Sequence, residues 1–79
     1  MEFYLGEICL LAFDFETPDF ILCDGRSLSV SQNSALYALI GNKFGGNSTN
    51  FNIPNLLNAS PINGMRYYIC IAGIFPVRQ

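Results

Sequence analysis

The chain has 79 residues, of which 51% are hydrophobic and 13% charged, with a net charge of −2 and no histidine. That length fits one domain, residues 1–79, and leaves no room for a second. The cations Arg26, Lys43, Arg66 and Arg78 are scattered, which argues against a nucleic-acid footprint, and no apolar run approaches the roughly 20 residues of a spanning helix. In chain order, residues 7–13 read as a mostly buried strand. Thr17-Pro18-Asp19 is a turn signal, because proline presets one dihedral and aspartate bonds its own backbone. Phe20 to Cys23 is a short apolar run between turns, read as a second strand. Asp24-Gly25 gives a tight turn, with glycine free to take positive φ. Ser27 to Val30 alternates polar and apolar, as a half-buried strand does.

A helix is expected from Ser31, whose hydroxyl would cap the first turn. Ala35, Leu36, Leu39 and Ile40 fall on one face, and Gly41-Asn42 supplies the stop. About three turns are too short to stand without tertiary packing, so the apolar face should lie on the strands. Residues 41–64 carry Asn42, Asn47, Asn50, Asn52, Asn55, Asn58 and Asn63 among Gly, Ser and Pro. They read as an ordered but irregular loop region, pinned by Phe44, Phe51, Ile53 and Leu56. Arg66 to Phe75 reads as a central strand buried on both sides, with Gly73 marking a bulge or a close backbone approach. The fold class is therefore α+β: a compact mixed domain of short strands around one helix, with a long Asn/Gly-rich loop and a central C-terminal strand.

The polar clusters favour structure over chemistry. Asp24-Gly25-Arg26 could place a carboxylate and a guanidinium near a ligand, but is read as a turn whose aspartate holds backbone N–H groups. Gly45-Gly46-Asn47 lacks the Lys-Ser/Thr ending of a phosphate loop and is also read as a structural turn. Asp14, Glu16, Asp19 and Asp24 are read as a solvated acidic segment rather than a calcium site or a glycosidase pair. Cys9, Cys23 and Cys70 are an odd number of thiols, best read as small buried hydrophobes. Without histidine there is no Cys–His pair and no usual seryl triad. No enzyme, cofactor or metal site is expected.

The apolar content is the informative feature. A domain this small hides only about 60% of the surface its unfolded chain exposes, yet the chain holds seven Phe and four Tyr. Large apolar patches left outside mark interaction sites. Phe13, Phe20 and Phe44 are assigned to the core. Phe3, Tyr4 and Leu5, on an unusually apolar terminus, are assigned to a subunit interface with Tyr67 and Tyr68, which point to opposite faces of the last strand so that one could serve the core and the other a neighbour. Removing residues 1–5 should then weaken assembly and leave the monomer folded. The N-terminus has no basic start and carries Glu2 and Glu7, so no secretory signal peptide is expected.

Several segments, in order, resemble the phage tail-collar family, which includes proteins labelled microcystin-dependent. They are Gly6-Glu7-Ile8, Pro18-Asp19-Phe20, Cys23-Asp24-Gly25-Arg26, Leu36 to Gly41, Phe44-Gly45-Gly46-Asn47 and Phe51-Asn52-Ile53-Pro54-Asn55-Leu56. The closing stretch Tyr67 to Pro76 is similar to the last strand of the shorter members. The resemblance implies a non-enzymatic attachment and structural module of tail fibres, tail-derived particles or bacterial surface fibres. Its partners would be itself, as a trimer or fibre, and other tail proteins, with a cell-surface receptor as a further candidate. Its place would be an extracellular particle or virion tail. Such domains usually continue after Asn55-Leu56 into a long Gly-rich receptor-binding region. Here Leu57 to Pro61 leads quickly to the last strand, which favours a scaffold, cap or fibre-building role. A monomeric carbohydrate- or receptor-binding module is the alternative.

Overall fold

The computed structural model describes residues 3–12 and 16–76. Among these residues, five short strands and one helix follow in the order β1 Ile8–Leu11, β2 Phe20–Leu22, β3 Ser27–Ser29, α1 Ser34–Ile40, β4 Asn50–Asn52 and β5 Arg66–Cys70. They form a three-stranded antiparallel sheet, ordered β1-β5-β2, and a two-stranded antiparallel sheet of β3 and β4.

Cys23 joins the sheets. Its N–H donates to the Tyr67 carbonyl at 3.0 Å, extending the β2–β5 ladder, while its carbonyl accepts from Leu56 N–H at 2.8 Å on the other side. From there the chain runs alongside residues 50–55 in one register, from Asp24 opposite Asn55 to Ser29 opposite Asn50. Pro54, which has no N–H to give, interrupts that ladder.

Alternation along β5 divides the apolar residues between two faces. On one face Ile21 and Ile69 meet Leu5, Cys23, Leu36, Phe51 and Ile53 in the main core. On the other, Phe20, Tyr68 and Cys70 pack with Phe3, Cys9, Leu11 and Leu22. Tyr68, Ile69 and Cys70 are thus buried from both sides.

Several elements differ from their sequence expectations. The first strand is an edge strand, half-buried along most of its length, and Ile8 is 41% exposed. It lies outside because β5 takes the middle position. Phe13, expected in the core, lies outside the described residues. The last strand stops at Cys70, and Ile74 and Phe75 beyond it are exposed. Gly73 does mark a close approach: a Cβ there would collide with the Phe3 carbonyl oxygen and come within 2.8 Å of Cys70 Sγ.

The helix starts three residues later than expected and is seven residues long. Val30 N–H is still held by the Thr49 carbonyl at 3.0 Å, so the chain must turn before it can coil. Ser31 therefore caps nothing, and its hydroxyl meets that of Ser29 instead. Asn33 occupies the cap position without a side-chain cap, its amide donating back to the Ser29 carbonyl. Leu36 is buried and Leu39 and Ile40 are partly so, while Ala35 is exposed. Gly41, at φ 56°, ends the helix with its N–H on the Tyr37 carbonyl.

Within residues 41–64 sits β4, where a loop was expected. Phe51 and Ile53 are its buried anchors and Leu56 is half-buried, whereas Phe44 is 43% exposed, with Lys43 Nζ 5.7 Å from its ring.

Candidate functional site

The densest polar cluster is built on the turn that follows Cys23. Asp24 Oδ1 accepts from Arg26 N–H at 3.1 Å, and Gly25 takes φ 80°. The Arg26 guanidinium bonds both Asp24 oxygens, Nε to Oδ1 at 3.0 Å and Nη2 to Oδ2 at 3.1 Å. It also meets Glu16, Nη2 to Oε2 at 2.6 Å. Glu16 in turn accepts Leu22 N–H. Every group here has its partner within the chain. Hydrogen bonding from Arg26 is the main reason the Asp24 carboxyl is held below the ordinary aspartate range.

The Gly45-Gly46 segment is a turn bound to β4. Asn47 Oδ1 accepts the N–H groups of Thr49 and Asn50, at 2.9 and 3.0 Å. Gly46, at φ 97°, lies so close to Asn50 and Phe51 that a Cβ would strike their backbone. The Gly45 and Asn47 N–H groups bond the Asn42 and Asn50 carbonyls, so they are not left to cradle a phosphate.

Cys23 and Cys70 are buried and Cys9 is half-buried, all three as free thiols. Burial pushes Cys23 up to about 11 and raises the other two, Cys9 also through Glu7. They are therefore protonated at neutral pH and poor nucleophiles. Among the described residues no group of three or more acidic, cysteine or histidine side chains could hold a metal ion, and no helix is long and apolar enough to cross a membrane.

Of the residues expected at an interface, the structure leaves one well exposed. Tyr4 is 57% exposed. Leu5 and Tyr68 are buried in the chain's own cores. Phe3 packs edge-on to Phe20 at 4.8 Å, and Tyr67 packs half-buried against the main core. The apolar surface lies elsewhere. Tyr4 and Ile74 sit opposite each other in a short parallel bridge, with Phe75 next in sequence. Ile8, Phe44, Leu57 and Ile62 are also exposed. Leu57 and Ile62 line a depression of about 280 Å³ with Asn58, Ser60, Gly64 and Arg66. Ile74 and Phe75 were missed because an apolar run reads as continuous strand; Gly73 was the signal that it ends.

The profile of the phage tail collar domain matches residues 6–61 of this sequence. The chain belongs to the phage tail collar domain family. No curated protein and no solved structure matches it in the same comparisons. The collar match takes in β1 to β4 and α1 but ends before β5. The strand that separates β1 from β2 thus comes from outside the matched span, as does the Tyr67–Pro76 resemblance.

The Cys23-Asp24-Gly25-Arg26 segment of this collar domain serves the crossing between sheets, and its removal should be felt as stability. Asp24→Ala is expected to cost about 1–2 kcal/mol at neutral pH, a charge-assisted network discounted for partial exposure. Because the folded carboxyl is depressed, its contribution is present above the ordinary aspartate pKa. It is lost as pH falls through the depressed value. Urea unfolding should therefore show wild type and variant converging in acid. A gap that persists there would mean that the turn's shape, not its charge, carries the effect.

Proposed function

We propose that this collar domain is a non-enzymatic building block of a phage tail fibre or tail-derived particle. It assembles there with copies of itself and with other tail proteins. The observation that carries this reading is the family match, taken with the apolar side chains that the fold leaves outside: Tyr4, Ile8, Ile74 and Phe75 among them. A contact with a neighbouring subunit would shield them at a gain of about 25 cal/mol per Å² of apolar area removed from water. The short loop after Leu56 favours a scaffold, cap or fibre-building role over receptor recognition.

Electron microscopy of the purified protein tests the reading. Uniform particles or fibres are expected. A field without particles, together with binding of the lone chain to a glycan array, would replace this reading with a monomeric carbohydrate-binding module. The depression beside Leu57 and Ile62 would then be its first candidate site.

A further inference from the structure

The two outer edges of the three-stranded sheet are treated differently. In an antiparallel ladder, alternate residues turn their N–H and C=O groups to the same neighbour. Ile71 N–H bonds the Asp19 carbonyl and Cys23 N–H bonds Tyr67, so Phe20 and Leu22 turn their backbone groups away from β5. All of those outward groups are satisfied nearby. Phe20 N–H and C=O bond Thr17, Leu22 N–H bonds Glu16, and the Leu22 carbonyl accepts from Asp24. Such local capping closes an edge to further strands.

Among the described residues the β1 edge has no such cap. Cys70 N–H bonds the Glu7 carbonyl, which sets Glu7, Cys9 and Leu11 toward β5 and leaves Ile8 and Leu10 facing outward. Among the described residues no hydrogen bond reaches those outward groups. The strand Ile8-Cys9-Leu10-Leu11 contains no charge and no proline, the usual guards of an exposed edge. Ile8, its first residue, shows an exposed side chain beside the open groups.

We infer that the outer edge of β1 receives β1 of a second copy, antiparallel and two-fold about Cys9. This rests on the self-assembly reading and adds a second contact beside the exposed patch of Tyr4, Ile74 and Phe75. A second copy fits because the edge complements itself. With Ile8 opposite the partner's Leu10, and Leu10 opposite the partner's Ile8, all the outward groups of both residues are paired. Centring on Ile8 or on Leu10 instead would pair one of them outside the strand. The neutral strand adds no like-charge repulsion. The two Cys9 residues then face each other as a non-hydrogen-bonded pair, with Cα atoms about 4.5 Å apart. That separation falls in the range of roughly 4.4–6.8 Å that a disulfide accepts.

Oxidation with diamide at mildly alkaline pH tests this. Each crosslink joins two Cys9 sulfurs, and the two thiol protons and two electrons pass to diamide, which becomes the hydrazine. The purified protein should give a covalent dimer on non-reducing gels, absent from Cys9→Ser. Ile8→Pro removes only an outward N–H at a strand's first position, where proline is tolerated. It should lower the crosslinking rate about tenfold, as expected for losing about half of the intermolecular bonds. Should circular dichroism show Ile8→Pro unfolded, Ile8→Lys, which adds like charge across the edge, takes its place with the same expectation. If light scattering shows assembly but Cys9 does not crosslink, or crosslinks equally well in the Ile8 variants, this edge is not the contact and self-assembly stands. If the chain neither assembles nor crosslinks, both ideas fall.

Discussion

Phe51→Ala is expected to cost about 3–5 kcal/mol, the range for truncating a buried aromatic side chain. Phe51 is the middle residue of β4, fully buried, with its ring 5.3 Å from that of Tyr37 on the helix. It pairs with Leu28 and packs in the main core with Leu36 and Ile53. The ring therefore ties the two-stranded sheet to α1. Replacing it with alanine leaves a hole that the short helix cannot close without releasing Tyr37 and Leu36. A domain of this size holds only about 4–12 kcal/mol in all. Circular dichroism under urea should show a variant that is largely unfolded or close to it. Phe51→Leu, which keeps most of the volume, should lose only about 1 kcal/mol. Equal midpoints for Phe51→Ala and wild type would mean that the two sheets do not share a core.

Gly73→Ala should be nearly as damaging, at about 2–4 kcal/mol, although the site is exposed and the change adds one methyl group. The added carbon would meet the Phe3 carbonyl, a backbone atom that no rotamer change can move. Relief requires residues 3–5 to leave, which breaks Leu5 N–H to the Ile74 carbonyl at 2.8 Å and Ile74 N–H to the Phe3 carbonyl at 2.9 Å. Leu5 leaves the core with them. A fall in melting temperature of about 10–20 °C is expected for a chain of this length. The same contacts reverse the expectation for removing residues 1–5: the shortened chain should lose stability before assembly is in question. Unchanged melting in both variants would show that the N-terminal segment is not bound to the residues after β5.

Local signals made much of this fold legible in sequence. Phe20-Ile21-Leu22 was bounded by turn residues, Ser27-Leu28-Ser29 alternated, and Gly41 marked the helix end. β4 also alternates, as Asn50-Phe51-Asn52-Ile53, but asparagine-rich surroundings hid a strand whose partner lies far back in the chain. The helix start was misread because Ser31 is a good cap in isolation, while the Val30–Thr49 bond that delays the helix is tertiary. The burial of Leu5 and Tyr68 was hidden for a related reason. Hydrophobicity alone cannot say whether Leu5 and Tyr68 face the chain's own core or a neighbour's. That is decided by which strands flank β5, and strand order has no local signature.

Sedimentation equilibrium of the intact protein over a hundredfold range of concentration bears most directly on the claim that other copies cover the apolar surface. The apparent mass should rise with concentration above that of the 8.8 kDa chain, levelling at a fixed multiple for a closed particle and climbing on for a fibre, and should rise less when Tyr4 and Ile74 are both changed to serine. A mass that stays at one chain throughout, with Tyr4, Ile8, Ile74 and Phe75 still in water, would contradict it.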